Sequence, residues 1–124
     1  MIIVTGASRG LGKEITKRLV NKGWEVIGLS RSIEDLVCEG FCCDVSDYSS
    51  VKVAARNLKK MGKKINAVIN SAGIASMNMA VTTDEHTVKK VIHTNLMGTI
   101  YICQLLAPLL IRQKYGSFIN FSTI

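Results

Sequence analysis

Proline occurs once in these 124 residues, and aromatic side chains make up only 6% of them. With 48% hydrophobic residues, that composition excludes extended disorder and collagen-like repeats, and it suits one globular domain. Acidic residues are scarce, nine against sixteen Lys plus Arg, which leaves a formal charge of +7. Such a balance suits phosphate-bearing ligands, nucleic acid or an anionic surface. No aromatic residues interleave with the lysines, so single-strand nucleic-acid binding is not expected. Lys59, Lys60, Lys63 and Lys64 fall where a helix should end, and read as a solvated basic surface favoured by the helix dipole.

Cysteine occurs four times, at positions 38, 42, 43 and 103, without a second Cys or His pair at zinc-finger spacing. No metal site is expected, and reduced thiols fit a cytoplasmic location. The uncharged run 65–83 is broken by Asn66, Asn70, Ser71, Gly73, Ser76 and Asn78, so a membrane span is not expected there. The N-terminus begins MIIVTGASRG, without basic residues ahead of its apolar ones or a small-residue cleavage site, so no signal peptide is expected.

Apolar β-branched runs alternate with helical patterns along the chain. Strands are expected at 1–5, 25–29, 41–45, 65–69 and 117–122. Helices are expected at 10–21, from a cap at Ser46 or Asp47 to about residue 61, and from 84 to about 112, the last bent at Pro108. Strands so continuously apolar belong to a parallel sheet covered on both faces. Right-handed crossovers then give an α/β fold, a doubly wound parallel sheet of the Rossmann type in order 3-2-1-4-5, ending after its fifth strand. Residues 1–124 read as one nucleotide-binding domain.

Residues 5–12 read TGASRGLG, between the first strand and the first helix. Glycines there let the backbone turn tightly and approach a pyrophosphate, which the free N–H groups at the helix start can hold. Dinucleotide-binding folds that take NAD place an acid at the end of the second strand, on the ribose 2′-hydroxyl. Here that end reads Leu29-Ser30-Arg31-Ser32, with no acid. Arg31 can fork onto a 2′-phosphate, and Arg9 can reach the same group, so NADP(H) is the expected cofactor.

The spacing T-G-x-x-x-G-x-G comes with Asn70-Ser71-Ala72-Gly73 after the fourth strand, Asn95 in the long helix, and GSFINFST at 116–123. In this combination the chain resembles the short-chain dehydrogenase/reductase family, above all its 3-oxoacyl-acyl-carrier-protein and small-carbonyl reductases. The resemblance implies NADPH-dependent carbonyl reduction, with Thr5, Gly6, Ser8, Arg9, Gly10, Leu11, Gly12, Arg31, Asp44, Val45, Asn70, Ala72 and Gly73 holding the cofactor. Asp44 and Val45 would meet the adenine, although Asp44 also reads as a turn cap. Ser71 stands where the family has a second Asn. Asn95 matches the Asn of the family's proton relay, although a mid-helix Asn also reads as merely solvent-facing. Thr123 matches the Ser that bonds the carbonyl, with Ser122 as its neighbour in the alternative register.

The family's proton donor is a Tyr with a Lys four residues on, expected beyond Thr123. Tyr48 and Lys52 have that spacing, but they follow the third strand, four strand spacings from the fifth and so on the order of 19 Å away. The chain is therefore expected to be the cofactor-binding N-terminal part of such a reductase, inactive alone. A non-catalytic NADP(H)-binding module is the alternative. The apolar positions of the long helix resemble the family's dimer-forming helix, which implies a homo-oligomer acting on a small carbonyl substrate or acyl thioester once complete. Neither nucleic acid nor membrane is an expected partner.

Overall fold

The computed structural model describes residues 1–122. Five parallel strands form one sheet: β1 (Ile2–Thr5), β2 (Val26–Ser30), β3 (Glu39–Cys42), β4 (Ala67–Asn70) and β5 (Ser117–Asn120), in order β3-β2-β1-β4-β5. The expected order is therefore the observed one. Helix α1 (Gly10–Asn21) crosses from β1 to β2, and α2 (Tyr48–Met61) from β3 to β4. A long helical segment then joins β4 to β5: α3 (Glu85–Ile92), a π-helical turn (His93–Met97) and α4 (Gly98–Gln113).

Alternation along the strands divides the core into two layers. Ile3, Ile27, Leu29 and Val68 point to one face and pack with Val51, Ala54 and Leu58 of α2 and Ile102, Leu106 and Leu110 of α4. Ile2, Val4, Val26 and Ile69 point to the other, where Ile15 and Leu19 of α1 cover them. Asp47 caps α2 by accepting from the Ser49 N–H at 2.9 Å, and Asp84 caps α3 by accepting from the Thr87 N–H at 2.7 Å.

Element boundaries move where neighbours end. Residues 43–45, expected as strand, run past Ser30, the last residue of β2, and so lack a ladder partner apart from the Cys43 N–H, which donates to Ser30 O at 2.9 Å. Ile65 precedes β4 because the Gln113 side chain takes its backbone groups, while Asn66 still donates its N–H to Met1 O at 2.8 Å and accepts from the Ser117 N–H at 3.2 Å. The Ile65 peptide pairs with the Gln113 amide, and Asn66 Nδ2 donates to Tyr115 Oη at 2.9 Å. The irregular turn of the long helix lies at 93–97, around Asn95, while α4 runs on through Pro108 to Gln113.

The sequence expectation about membranes rested on 65–83, yet residues 91–111 form a longer uncharged stretch. The helical segment Glu85–Gln113 has the length and apolar composition of a membrane span. Ile102 and Leu106 are nonetheless 1% exposed against the sheet, which makes this segment one layer of the core. Its outer stripe, Val88, Ile92, Leu96 and Ile100, is exposed at four-residue spacing.

Truncating Leu106 to Ala should cost about 2–5 kcal/mol in urea unfolding, as for other buried leucines. The exposed β5 residue Ile119, replaced by Thr, should stay within about 0.5 kcal/mol of the parent. Equal losses at the two positions would contradict this division of core and surface.

Candidate functional site

The sheet reverses direction at β1: the chain runs outward through β2 and β3, then returns to the other side of β1 with β4. The loops leaving β1 and β4 consequently diverge above the C-terminal ends of the strands and leave a crevice. A cleft of about 510 Å³ occupies it. Its walls are the glycine-rich loop after β1, residues 29–32 at the end of β2, residues 43–45 after β3, residues 71–74 after β4, and Thr94 from the π turn.

The glycine-rich loop is tight because backbone meets backbone. Gly6 has φ +66°, and a Cβ there would lie 2.8 Å from Ala72 Cα. A Cβ on Gly12 would collide with the Gly6 carbonyl and stand 2.7 Å from Ser71 Oγ. Only glycine lets α1 start this close to the end of β1. The first turn of α1 has neither a side-chain cap nor an acidic residue, so its amide N–H groups are available to an anion.

Of the thirteen residues named as cofactor contacts, Gly6, Ser8, Arg9, Gly10, Leu11, Gly12, Arg31, Asp44, Val45, Ala72 and Gly73 line this one cleft. Thr5 and Asn70 do not. Thr5 is 1% exposed, and its Oγ1 accepts from the N–H of Ser71 at 3.2 Å and of Ala72 at 3.1 Å. Ser71 Oγ donates back to the Thr5 carbonyl, so the Ser in place of the family's second Asn keeps the β4 loop clamped to β1. Asn70, 4% exposed, is the register partner of Asn120; its Nδ2 donates to Asn120 Oδ1 at 2.8 Å, and its carbonyl accepts from the Phe121 N–H at 3.1 Å. Both residues form a supporting layer beneath the cleft wall.

Asp44 takes both readings offered for it. It lines the cleft, and its Oδ1 accepts from Ser46 N–H at 3.0 Å and Ser46 Oγ at 2.7 Å as a turn cap. Asn95 is exposed, yet its side chain is engaged: its Oδ1 accepts from the Ile74 N–H and its Nδ2 donates to the Ile74 carbonyl, both at 2.8 Å. That pair ties the β4 loop to the π turn. Ser122 is exposed just past β5, and Thr123 lies outside the described residues.

Tyr48 and Lys52 do not line the cleft. Helix α2 crosses back over the sheet toward α4, so strand spacing does not measure where Tyr48 sits. Its ring packs edge-to-face on Tyr101, with centroids 5.2 Å apart.

The charge pattern holds one surprise. Arg9 and Arg31 stand in the wall, and among the described residues neither has a carboxylate partner. Asp35 stands in the same wall, with its Oδ2 accepting from Ser32 Oγ at 2.9 Å. The sequence reading found no acid because this one lies in an irregular turn four residues past Arg31. Thr94 was missed as well, since a helical Thr carries no motif. Burial pushes the Cys43 thiol up to about 11, so this wall residue stays neutral.

Replacing Thr5 by Val keeps the shape and strands two amide N–H groups. A loss of about 1–3 kcal/mol in urea unfolding is expected. Unchanged stability would mean that the clamp between β1 and the β4 loop is unimportant.

Comparison with known proteins agrees with this geometry. A sequence model of the family described as short chain dehydrogenase matches residues 1–124. The chain is 32% identical to a probable short-chain type dehydrogenase/reductase, VdlC, of Helicobacter pylori, over 100% of this chain and 48% of that protein. It is 28% identical to 3-oxoacyl-[acyl-carrier-protein] reductase of Homo sapiens, over 98% and 55%. A metagenomic short-chain oxidoreductase solved in complex with NADP superposes with a TM-score of 0.91 at 26% identity, over 100% of this chain and 61% of that one. The chain spans about half the length of the curated relatives it matches. By its fold, its glycine-rich turn and the match along its whole length, this chain belongs to the short-chain dehydrogenase family.

Proposed function

We propose that the chain is the NADP(H)-binding part of a carbonyl reductase similar to the 3-oxoacyl-acyl-carrier-protein reductases. The observation that carries this reading is the pairing of an uncapped α1 N-terminus with Arg9 and Arg31 in one cleft wall. A pyrophosphate fits the first, because the first-turn N–H groups have no side-chain cap and Gly10 and Gly12 carry no Cβ. A 2′-phosphate fits the second, because a guanidinium presents two parallel donors to it. The relative solved with NADP adds support by likeness.

The chain's own residues would then divide the work. Ser8, Gly10, Leu11 and Gly12 surround the pyrophosphate, Asp44 and Val45 border the adenine, and Ala72 and Gly73 flank the ribose, while Thr5 and Asn70 brace these loops from behind. NADPH, when bound, would supply the hydride. Asn95 would hold the β4 loop against the helix as part of the proton-relay side of the site, and Thr123 would donate a hydrogen bond to the substrate carbonyl. Tyr48, packed on Tyr101, is not the proton donor. The substrate is a small carbonyl compound or an acyl thioester. The stripe Val88, Ile92, Leu96 and Ile100 would meet a second copy of the chain, and the four free thiols suit the cytosol.

Asp35 favours a second reading for the cofactor, since a carboxylate in this wall can accept from a ribose 2′-hydroxyl and so suit NADH. Ser32 already engages it, and two arginines outweigh it, which is why NADPH is preferred. Arg31→Asp should weaken NADPH binding about tenfold or more while NADH binding changes little, because repulsion replaces a charge-assisted pair. Equal losses for the two cofactors would sink the 2′-phosphate assignment. The purified chain should show no carbonyl reduction; clear turnover would contradict the division of labour proposed here. Should NADPH bind tightly and yet the protein in its source cells never reduce a carbonyl, the non-catalytic module is the better description.

A further inference from the structure

Arg9, Arg31 and Ile74 belong to two hollows at once. On one side they close the nucleotide cleft; on the other they open an outer chamber of about 430 Å³. One wall of that chamber is α3 and another is the loop 74–78 after β4. Thr87, Lys90 and Val91 line the outer chamber, and Thr94 lines the inner cleft. Those four positions are i, i+3, i+4 and i+7, one continuous helical face turned toward both hollows. Lys90 thus stands one helical turn from Thr94, in the same chamber as the two arginines.

The lining of the outer chamber contains three cations and no carboxylate. Glu85, the nearest acid on α3 itself, is taken by Lys89 at 2.6 Å, and none of the described ion pairs includes Arg9, Arg31 or Lys90. Three like charges around one concave space repel each other unless an anion joins them. A phosphate monoester carries close to two negative charges and three acceptor oxygens, more than two guanidinium groups satisfy from one side. A lysine ammonium on a flexible stem can close the remaining side as a point charge.

Resting on the NADP(H) reading above, we propose that Lys90 is a specificity-determining residue, the third cation on the cofactor's 2′-phosphate, reaching it from the helix side of the outer chamber. Its charge bears on the phosphate alone. An adenosine whose ribose ends in a 2′-hydroxyl offers it nothing to neutralise.

The test is an equilibrium titration of the full chain with NADPH and with NADH, following cofactor fluorescence, for the parent, Lys90→Met, Lys90→Arg and Lys89→Met. Methionine keeps the unbranched stem and the helix propensity, so only charge is lost. Lys90→Met should raise the NADPH Kd about five- to tenfold and leave the NADH Kd within about twofold, a change the size expected of one partly screened charge pair. Lys90→Arg should retain NADPH affinity, and Lys89→Met should leave both cofactors unchanged. Unchanged NADH binding doubles as evidence that each variant folds. If the parent prefers NADPH and Lys90→Met keeps that preference, the assignment of Lys90 is wrong while the cofactor reading stands. The same holds if Lys89→Met weakens NADPH as much as Lys90→Met does. A parent without preference for NADPH overturns both readings.

Discussion

Every feature of the cleft depends on how closely the backbone leaving β1 approaches the backbone leaving β4. The two strands are parallel neighbours, Thr5 beside Asn70, and their continuations must part to open a crevice. Thr5 and Ser71 limit how far they part: a hydroxyl on each side bonds main-chain groups on the other. Gly6 and Gly12 let the turn and the helix start fit inside that limit, where a Cβ would strike Ala72 or the Gly6 carbonyl. The uncapped end of α1 is consequently aimed at the mouth of the crevice, with its amides unspent.

A second fixed relation holds the far wall. Asn95 pairs with both the backbone N–H and the carbonyl of Ile74, which ties the β4 loop to the long helix. The π turn at 93–97 accompanies this pairing and carries Thr94 into the cleft, while Lys90, on α3 before it, lines the chamber beyond. Behind the wall, the Asn70 to Asn120 bond joins β4 to β5 at the point where Phe121 and Ser122 emerge. Residues that never touch a ligand thereby set the distance between the groups that could. The electrostatics follow the same layout, with acids engaged locally, Asp44 by Ser46 and Asp35 by Ser32, and Arg9 and Arg31 without a carboxylate partner among the described residues.

The strand order was legible in the sequence because short apolar runs alternating with amphipathic helices admit few topologies. The glycine-rich turn was legible because its spacing sits between a strand and a helix. The supporting roles were not, since nothing in the sequence tells a Thr that lines a cleft from one that accepts two amides behind it. Asp35 escaped notice because turn geometry, not periodicity, brings it to the wall. The strand limits at 39–42 and 67–70 depend on where neighbouring strands end, a tertiary fact invisible to local pattern. Tyr48 sits on a helix above the sheet and packs on Tyr101, a contact that counting strand spacings does not foresee.

The most direct measurement is a crystal structure of this chain grown with NADP. Density for the pyrophosphate should lie against the amides of residues 10–12, with the 2′-phosphate between Arg9 and Arg31. A nucleotide bound elsewhere, or one whose 2′-phosphate turns to solvent away from both arginines, would contradict the central claim that this cleft is built for a 2′-phosphorylated dinucleotide.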